Sequence, residues 1–140
     1  RVPNRSATVV GVVLVSHSEK LVEGLRDLVG QLSQGQVPVA IAGGDPQGGL
    51  GTSVEKIRDA IQAVAGPDGV LVLVDLGSAV LSTEAAIDLL DPPPAGEVRL
   101  SDAPLVEGAV VAVIHAGLGN SLAEVLAAVD GARNLPKNLD

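Results

Sequence analysis

Chemistry near neutral pH has few carriers in this chain. It has no cysteine, tyrosine, phenylalanine, tryptophan or methionine, and only two histidines. His17 is the better placed of the two. It stands in Val15-Ser16-His17-Ser18-Glu19, directly after an apolar run that ends at Val15. An imidazole titrates around neutrality, and its free ring nitrogen can attack phosphorus to form a covalent intermediate. The competing reading of His17 is a histidine that hydrogen-bonds within a turn.

Asp75, in Val74-Asp75-Leu76-Gly77-Ser78, is the natural partner. A carboxylate can accept the proton of one ring nitrogen, fix the tautomer and stabilise the imidazolium. The same residue also suits an acidic cap for a helix that opens near Gly77-Ser78. The long segment Gly43-Gly44-Asp45-Pro46-Gln47-Gly48-Gly49-Leu50-Gly51-Thr52 has glycines that let backbone amides approach an anion. No lysine precedes Thr52, so the segment is not a P-loop, and Gly49-x-Gly51 is weak evidence for a dinucleotide site. A plain surface loop fits Gly48 and Gly49 equally well. Thr52 reads first as a helix N-cap and second as a hydroxyl near the histidine. Asp45 reads as a turn residue. His115 ends a helical pattern, where a histidine favours the helix C-terminus, and is read as structural. Two histidines this far apart give no zinc pattern.

Strands and helices must bring these residues together. Residues 8–15 are a continuous β-branched and aliphatic run, and residues 70–74 read the same way, the mark of strands buried on both faces. Residues 37–42 form a third strand, which Pro38 pushes to an outer position, and residues 97–100 a fourth. Leu21, Leu25, Leu28 and Leu32 recur at helical spacing, widened by Val22 and Val29. Four further helical patterns centre on Val54/Ile57/Ile61/Val64, Val80/Ala86/Ile87/Leu90, Leu105/Val106/Ala109/Val110/Val113 and Leu122/Val125/Leu126/Val129. Ser16 with Glu19, Thr52 with Glu55, and Ser121 with Glu124 each fit a capping box. Pro104 suits a first helical turn, and Pro92-Pro93-Pro94 ends the third helix.

Alternating strands and helices, with one extra terminal helix, predict an α/β domain. Its sheet is open and mostly parallel, with helices on both faces and right-handed crossovers. Ligands of such sheets bind outside the carboxyl ends of the strands, where residues 16–18, 43–52 and 75–78 all fall.

A chain of 140 residues holds one domain, assigned to residues 8–132. Residues 1–7 are expected to be disordered or tag-like, with a trimmed or engineered start, and residues 133–140 to be a tail or linker. A net charge of -8 disfavours nucleic acid and anionic membrane surfaces as partners and suits a partner with a basic face. No apolar run reaches membrane-span length and no signal-peptide pattern opens the chain, so a cytoplasmic protein is expected.

The segments Gly11-Val12-Val13-Leu14-Val15-Ser16-His17-Ser18, 43–52, Leu73-Val74-Asp75-Leu76-Gly77-Ser78-Ala79, Ser82-Thr83-Glu84 and Ala103-Pro104-Leu105-Val106-Glu107-Gly108 run in one order over nearly the whole chain. In that order they resemble the phosphocarrier subunit family of the phosphoenolpyruvate-dependent dihydroxyacetone kinase, called DhaM. That family is similar to the mannose-type IIA domain of sugar phosphotransferase systems. The resemblance implies a mannose-type IIA-like sheet of order 2-1-3-4, a homodimer, a transiently phosphorylated His17 and a catalytic Asp75. It implies that the phosphoryl group comes from the carrier protein HPr and goes to ADP on the DhaL subunit, which works with DhaK. ADP/ATP and magnesium would belong to that partner, with no cofactor or metal on this domain. Ser16, Ser18, Gly43, Gly44, Thr52, Gly77 and Ser78 would then stabilise the phosphoryl oxygens through hydroxyls and N–H groups.

Three other readings compete. A sugar-transporter IIA domain shares the histidine and the fold. A receiver-like signalling domain would use Asp75 as phosphoacceptor, but the first strand lacks the acidic pair that holds magnesium. A non-catalytic binding module would transfer no phosphate.

Overall fold

The computed structural model describes residues 9–138; the N-terminal segment 1–7 lies outside them. Among the described residues, four strands and four α-helices alternate and a fifth α-helix follows: β1 Gly11–Ser16, α1 Glu19–Leu32, β2 Val39–Gly43, α2 Val54–Val64, β3 Val70–Val74, α3 Ser78–Asp88, β4 Val98–Ser101, α4 Leu105–Gly117 and α5 Leu122–Asp130. The sheet has the order β2-β1-β3-β4, and all three pairings are parallel. Every residue of β1 and β3 is buried, which is why valine and leucine make up all of β3 and residues 12–15 of β1. Alternate residues serve opposite faces. Val12, Leu14, Leu71 and Leu73 pack under α1, α4 and α5, whereas Val13, Val15, Val70, Val72 and Val74 pack under α2 and α3.

The strand ends differ slightly from the sequence pattern. Val9 and Val10 precede β1, which runs on through Ser16. β2 and β4 each start later than expected and end one residue further on, after Pro38 and Glu97. β2 is an edge strand, the position Pro38 favours.

Two of the three capping boxes move. Ser16 is the last residue of β1, so it cannot cap. Ser18, with extended backbone at φ -120 and ψ 122, accepts from the Leu21 N–H and caps α1. Thr52 does not cap α2 either; Ser53 does, accepting from the Lys56 N–H. Ser121 and Glu124 form the expected reciprocal box at α5. Pro104 sits one position before the first turn of α4, as its N-cap.

The α1 stripe also divides. Val22, Leu25 and Val29 face the core, while Leu21, Leu28 and Leu32 are about half exposed. At 100° per residue these three leucines lie roughly 80–120° round the helix from Val22. The apolar arc is therefore wider than the sheet can cover.

Residues 131–134 form a 3-10 turn that continues α5, and Ala132 within it is buried. Arg133 pairs with Asp102, and Lys137 with Glu107.

Candidate active site

His17 is the first residue past β1 and lies at the carboxyl edge of the sheet. β3 pairs directly with β1 up to Val15–Val74, which sets the following Asp75 beside it. The Asp75 N–H donates to the Val15 carbonyl at 3.1 Å. From there the Asp75 carboxylate gathers four donors. Oδ1 receives the His17 ring at Nδ1, 2.9 Å away, and the Leu76 N–H at 2.7 Å. Oδ2 receives the Ser16 hydroxyl and the backbone N–H of His17, each at 2.9 Å.

Burial pushes the Asp75 carboxyl up. The backbone N–H of His17, its ring, the Ser16 hydroxyl and the Leu76 N–H together outweigh that and hold it below the usual aspartate range. An ionised carboxylate only accepts hydrogen bonds, so Nδ1 carries the ring proton. The ring lone pair then lies on Nε2, which receives the Ser78 hydroxyl at 2.8 Å. The imidazole remains accessible, with about a quarter of its side-chain surface exposed (24%).

The other residues expected at the site divide by position. Ser78 opens α3 and touches the ring. The N–H groups of Gly77 and Ser78 are unpartnered among the described residues, because α3 leaves its first donors free. Ser16 is fully buried, and its hydroxyl also accepts from the Ser18 N–H at 3.0 Å. It holds Asp75 rather than facing the mouth. The Ser18 hydroxyl is engaged as the α1 cap.

Gly43 is packed against α1 so closely that a Cβ there would lie 2.6 Å from the Glu19 Cα. Gly44 turns the chain at φ 80 and donates to the Ser16 carbonyl. Further along the same loop, the Gly51 N–H donates to the His17 carbonyl at 2.9 Å. The Thr52 hydroxyl meets that of Ser82 at 2.7 Å, which ties this loop to α3. Asp45 is the turn residue, its Oδ1 accepting from the N–H groups of Gln47 and Gly49.

Sequence reasoning missed Lys56. Its ammonium donates to the carbonyls of Gly43 and Asp45 at 3.1 and 2.9 Å and clamps the base of the loop. Nothing local marks a lysine inside a helix for this role. Ser82 lies within the family-like segment Ser82-Thr83-Glu84, but its partner Thr52 is 30 residues away. His115 stands in the last turn of α4, with Nδ1 3.2 Å from Asn120 Nδ2, away from this site. No cluster of three or more His, Cys, Asp or Glu residues suited to a metal occurs among the described residues.

The open α/β domain thus presents a carboxylate-held, solvent-reachable imidazole at the mouth of its sheet. A family profile described as "PTS system fructose IIA component", EIIA-man, matches residues 11–126. The chain belongs to this mannose-type IIA family.

Its relatives carry a narrower name. The phosphoryl donor subunit DhaM of the phosphoenolpyruvate-dependent dihydroxyacetone kinase of Escherichia coli is 46% identical over 120 residues. That match covers 84% of this chain but only 25% of the relative, so the chain spans about a quarter of that protein's length. In Listeria innocua, the DhaM of kinase 2 is 36% identical and is matched over 94% of its length. The crystal structure of the unknown-function protein EF1359 superimposes with a TM-score of 0.78 at 36% identity, covering 94% of this chain and 99% of that one.

Proposed function

We propose that this domain is a phosphohistidine carrier for a phosphoenolpyruvate-dependent dihydroxyacetone kinase. One observation carries the reading: Asp75 holds the Nδ1 proton of His17, so the lone pair on Nε2 points to the open edge of the sheet. The Nε2 lone pair attacks the phosphorus of phosphohistidine on HPr. The new N–P bond forms as the donor's N–P bond breaks, and the electron pair returns to the donor ring. The Ser78 hydroxyl leaves Nε2 and donates to a phosphoryl oxygen, joined by the N–H groups of Gly77 and Ser78. Asp75 steadies the positive imidazolium through Nδ1. In the second transfer the terminal oxygen of ADP on DhaL attacks the same phosphorus, and His17 leaves with its electron pair. The ATP so formed serves DhaK.

On this reading the domain needs no cofactor of its own, since ADP and magnesium stay on DhaL. It works as a homodimer in the cytoplasm. None of the described helices is long and apolar enough to cross a membrane. The family's fructose-system IIA members support a second reading, in which the acceptor is a transporter subunit.

The test incubates the chain with phosphoenolpyruvate, enzyme I and HPr, and maps acid-labile, base-stable phosphate. Label is expected on His17 and absent in His17→Ala. Label on His115, or none at all, sinks the proposal. Addition of DhaL, DhaK, ADP and dihydroxyacetone should then drain the label into dihydroxyacetone phosphate; a stable label that only a sugar-transporter subunit removes favours the second reading.

A further inference from the structure

His17 is held at both ends of its backbone. Its N–H goes to Asp75, and its carbonyl accepts from the Gly51 N–H at 2.9 Å. Gly51 lies near the end of the segment 43–52, so the path of that segment sets where the histidine carbonyl rests. The segment has little packing of its own. Residues 46–50 are all exposed. Gly48 and Gly51 stand at φ 87 and 145, and fixing a glycine costs more backbone freedom than fixing any other residue. Asp45 closes a turn here: its N–H donates to the Gly49 carbonyl, and its carbonyl accepts from the Gly48 N–H. These bonds shape the turn but do not fasten it to the rest of the molecule.

Lys56 does fasten it. The residue stands in the first turn of α2, where the helix dipole disfavours a cation. Its ammonium is compensated by the carbonyls of Gly43 and Asp45, at 3.1 and 2.9 Å. The Asp45 carbonyl therefore serves two donors, Gly48 within the turn and Lys56 outside it. Bonds from an ammonium are stronger than bonds between neutral groups. The root of the lysine is firm, because Ile57 and Ile61 bury α2 against the sheet. Glu19 adds little, since its half-exposed carboxylate is 3.7 Å away. None of these contacts of Lys56 involves the imidazole.

We infer that Lys56 is a positioning residue for the phosphoryl transfer. By joining the carbonyls of Gly43 and Asp45 it fixes the Gly51 N–H against the His17 carbonyl, and so sets the imidazole for in-line attack. The inference rests on the carrier reading and adds to it a residue that acts through the backbone of the nucleophile. In-line transfer is sensitive to such placement: a shift of about 1 Å can slow a reaction about 100-fold.

The experiment follows single-turnover labelling of the whole chain over a range of phospho-HPr concentrations. Lys56→Met keeps the stem and removes the donors. Its maximal rate should fall roughly tenfold to a hundredfold, while the half-saturating concentration stays within about a factor of two of the wild type. Lys56→Arg can still donate to both carbonyls and should recover most of the rate. Glu19→Gln should leave the rate unchanged. Amide hydrogen exchange, read by nuclear magnetic resonance, tests the link without any phosphoryl donor. The Gly51 N–H should exchange at least about tenfold faster in Lys56→Met and close to the wild-type rate in Lys56→Arg. Circular dichroism checks that the variants are folded. Where Lys56→Met does not fold, Lys56→Gln, too short to span both carbonyls, takes its place with the same expectations. An unchanged maximal rate, a loss confined to half-saturation, an arginine no better than methionine, a Glu19→Gln as slow as Lys56→Met, or unchanged Gly51 exchange overturns the inference. A wild type that takes no label on His17 sinks the carrier reading instead, and the exchange rates still decide whether Lys56 holds Gly51.

Discussion

Both oxygens of Asp75 bind His17: Oδ1 holds the ring at Nδ1 and Oδ2 holds the backbone N–H, each at 2.9 Å. One carboxylate thus fixes the position of the histidine and turns Nε2 of its ring towards the mouth of the sheet. Asp75→Asn keeps the shape but can offer an amide N–H to Nδ1, which reverses the tautomer. Phosphoryl transfer from phospho-HPr should fall by about 10²–10⁴-fold, with the circular dichroism unchanged. Rapid-quench labelling rates check this, and a rate within a factor of two of the wild type removes the role given to Asp75.

Ser16 acts one step further back. Its buried hydroxyl bridges Asp75 Oδ2 and the Ser18 N–H. Ser16→Ala leaves that N–H and one carboxylate lone pair unmatched, at a cost of about 1–3 kcal/mol in stability. Transfer should slow less than in Asp75→Asn, because the ring contact survives. Urea denaturation and the same labelling assay separate the two effects.

Ser78→Ala removes the hydroxyl that lies 2.8 Å from Nε2. Folding should be nearly unaffected, since α3 keeps its helical bonds. The transfer rate should drop by about tenfold, the worth of one hydrogen bond to a charged phosphoryl oxygen. A faster rate would mean that the hydroxyl only shields the nucleophile.

Two glycines at the mouth should respond in opposite ways. A methyl group on Gly43 meets the Glu19 Cα at 2.6 Å and the Val22 Cγ1 at 2.7 Å, and the helix backbone cannot swing aside. Gly43→Ala should cost about 1–3 kcal/mol. Gly77 has helical backbone at φ -57 and open space around it. Gly77→Ala should leave stability and transfer intact, because the N–H group remains. Thermal melts of the pair decide the contrast.

Acid should weaken the fold partly through Asp75. Its native pKa is lowered, so the folded state favours the ionised form. That contribution is complete above the unfolded aspartate value of about 3.9 and is lost as pH falls through the lower native value. Asp75→Asn should flatten this part of the stability profile. Urea midpoints measured from about pH 5 downward test the slope.

Much of this was legible in the residues. The apolar runs that became β1 and β3 need no context, since a strand buried on both faces must be aliphatic throughout. Pro38 marked β2 as an edge because it cannot donate to a ladder. The terminal box Ser121/Glu124 held because both members are local. The other two boxes failed for a reason the pattern cannot carry: β1 pairs through Ser16, and the turn into α1 takes two more residues. Ser18 and Ser53 then become the caps.

By itself, then, the sequence determined the alternation of strands and helices, the edge position of β2 and the choice of His17 and Asp75 as a pair. All follow from local composition and chain order. Only the tertiary structure decided which ring nitrogen is free, because that depends on the register of β3 against β1 and on Ser78, 61 residues from the histidine. It also turned Ser16 inward to Asp75, brought Lys56 and Ser82 to the loop, and left Leu21, Leu28 and Leu32 outside the core. Each outcome is set by which groups the packed sheet brings within about 3 Å of one another, a distance along which sequence spacing has no measure.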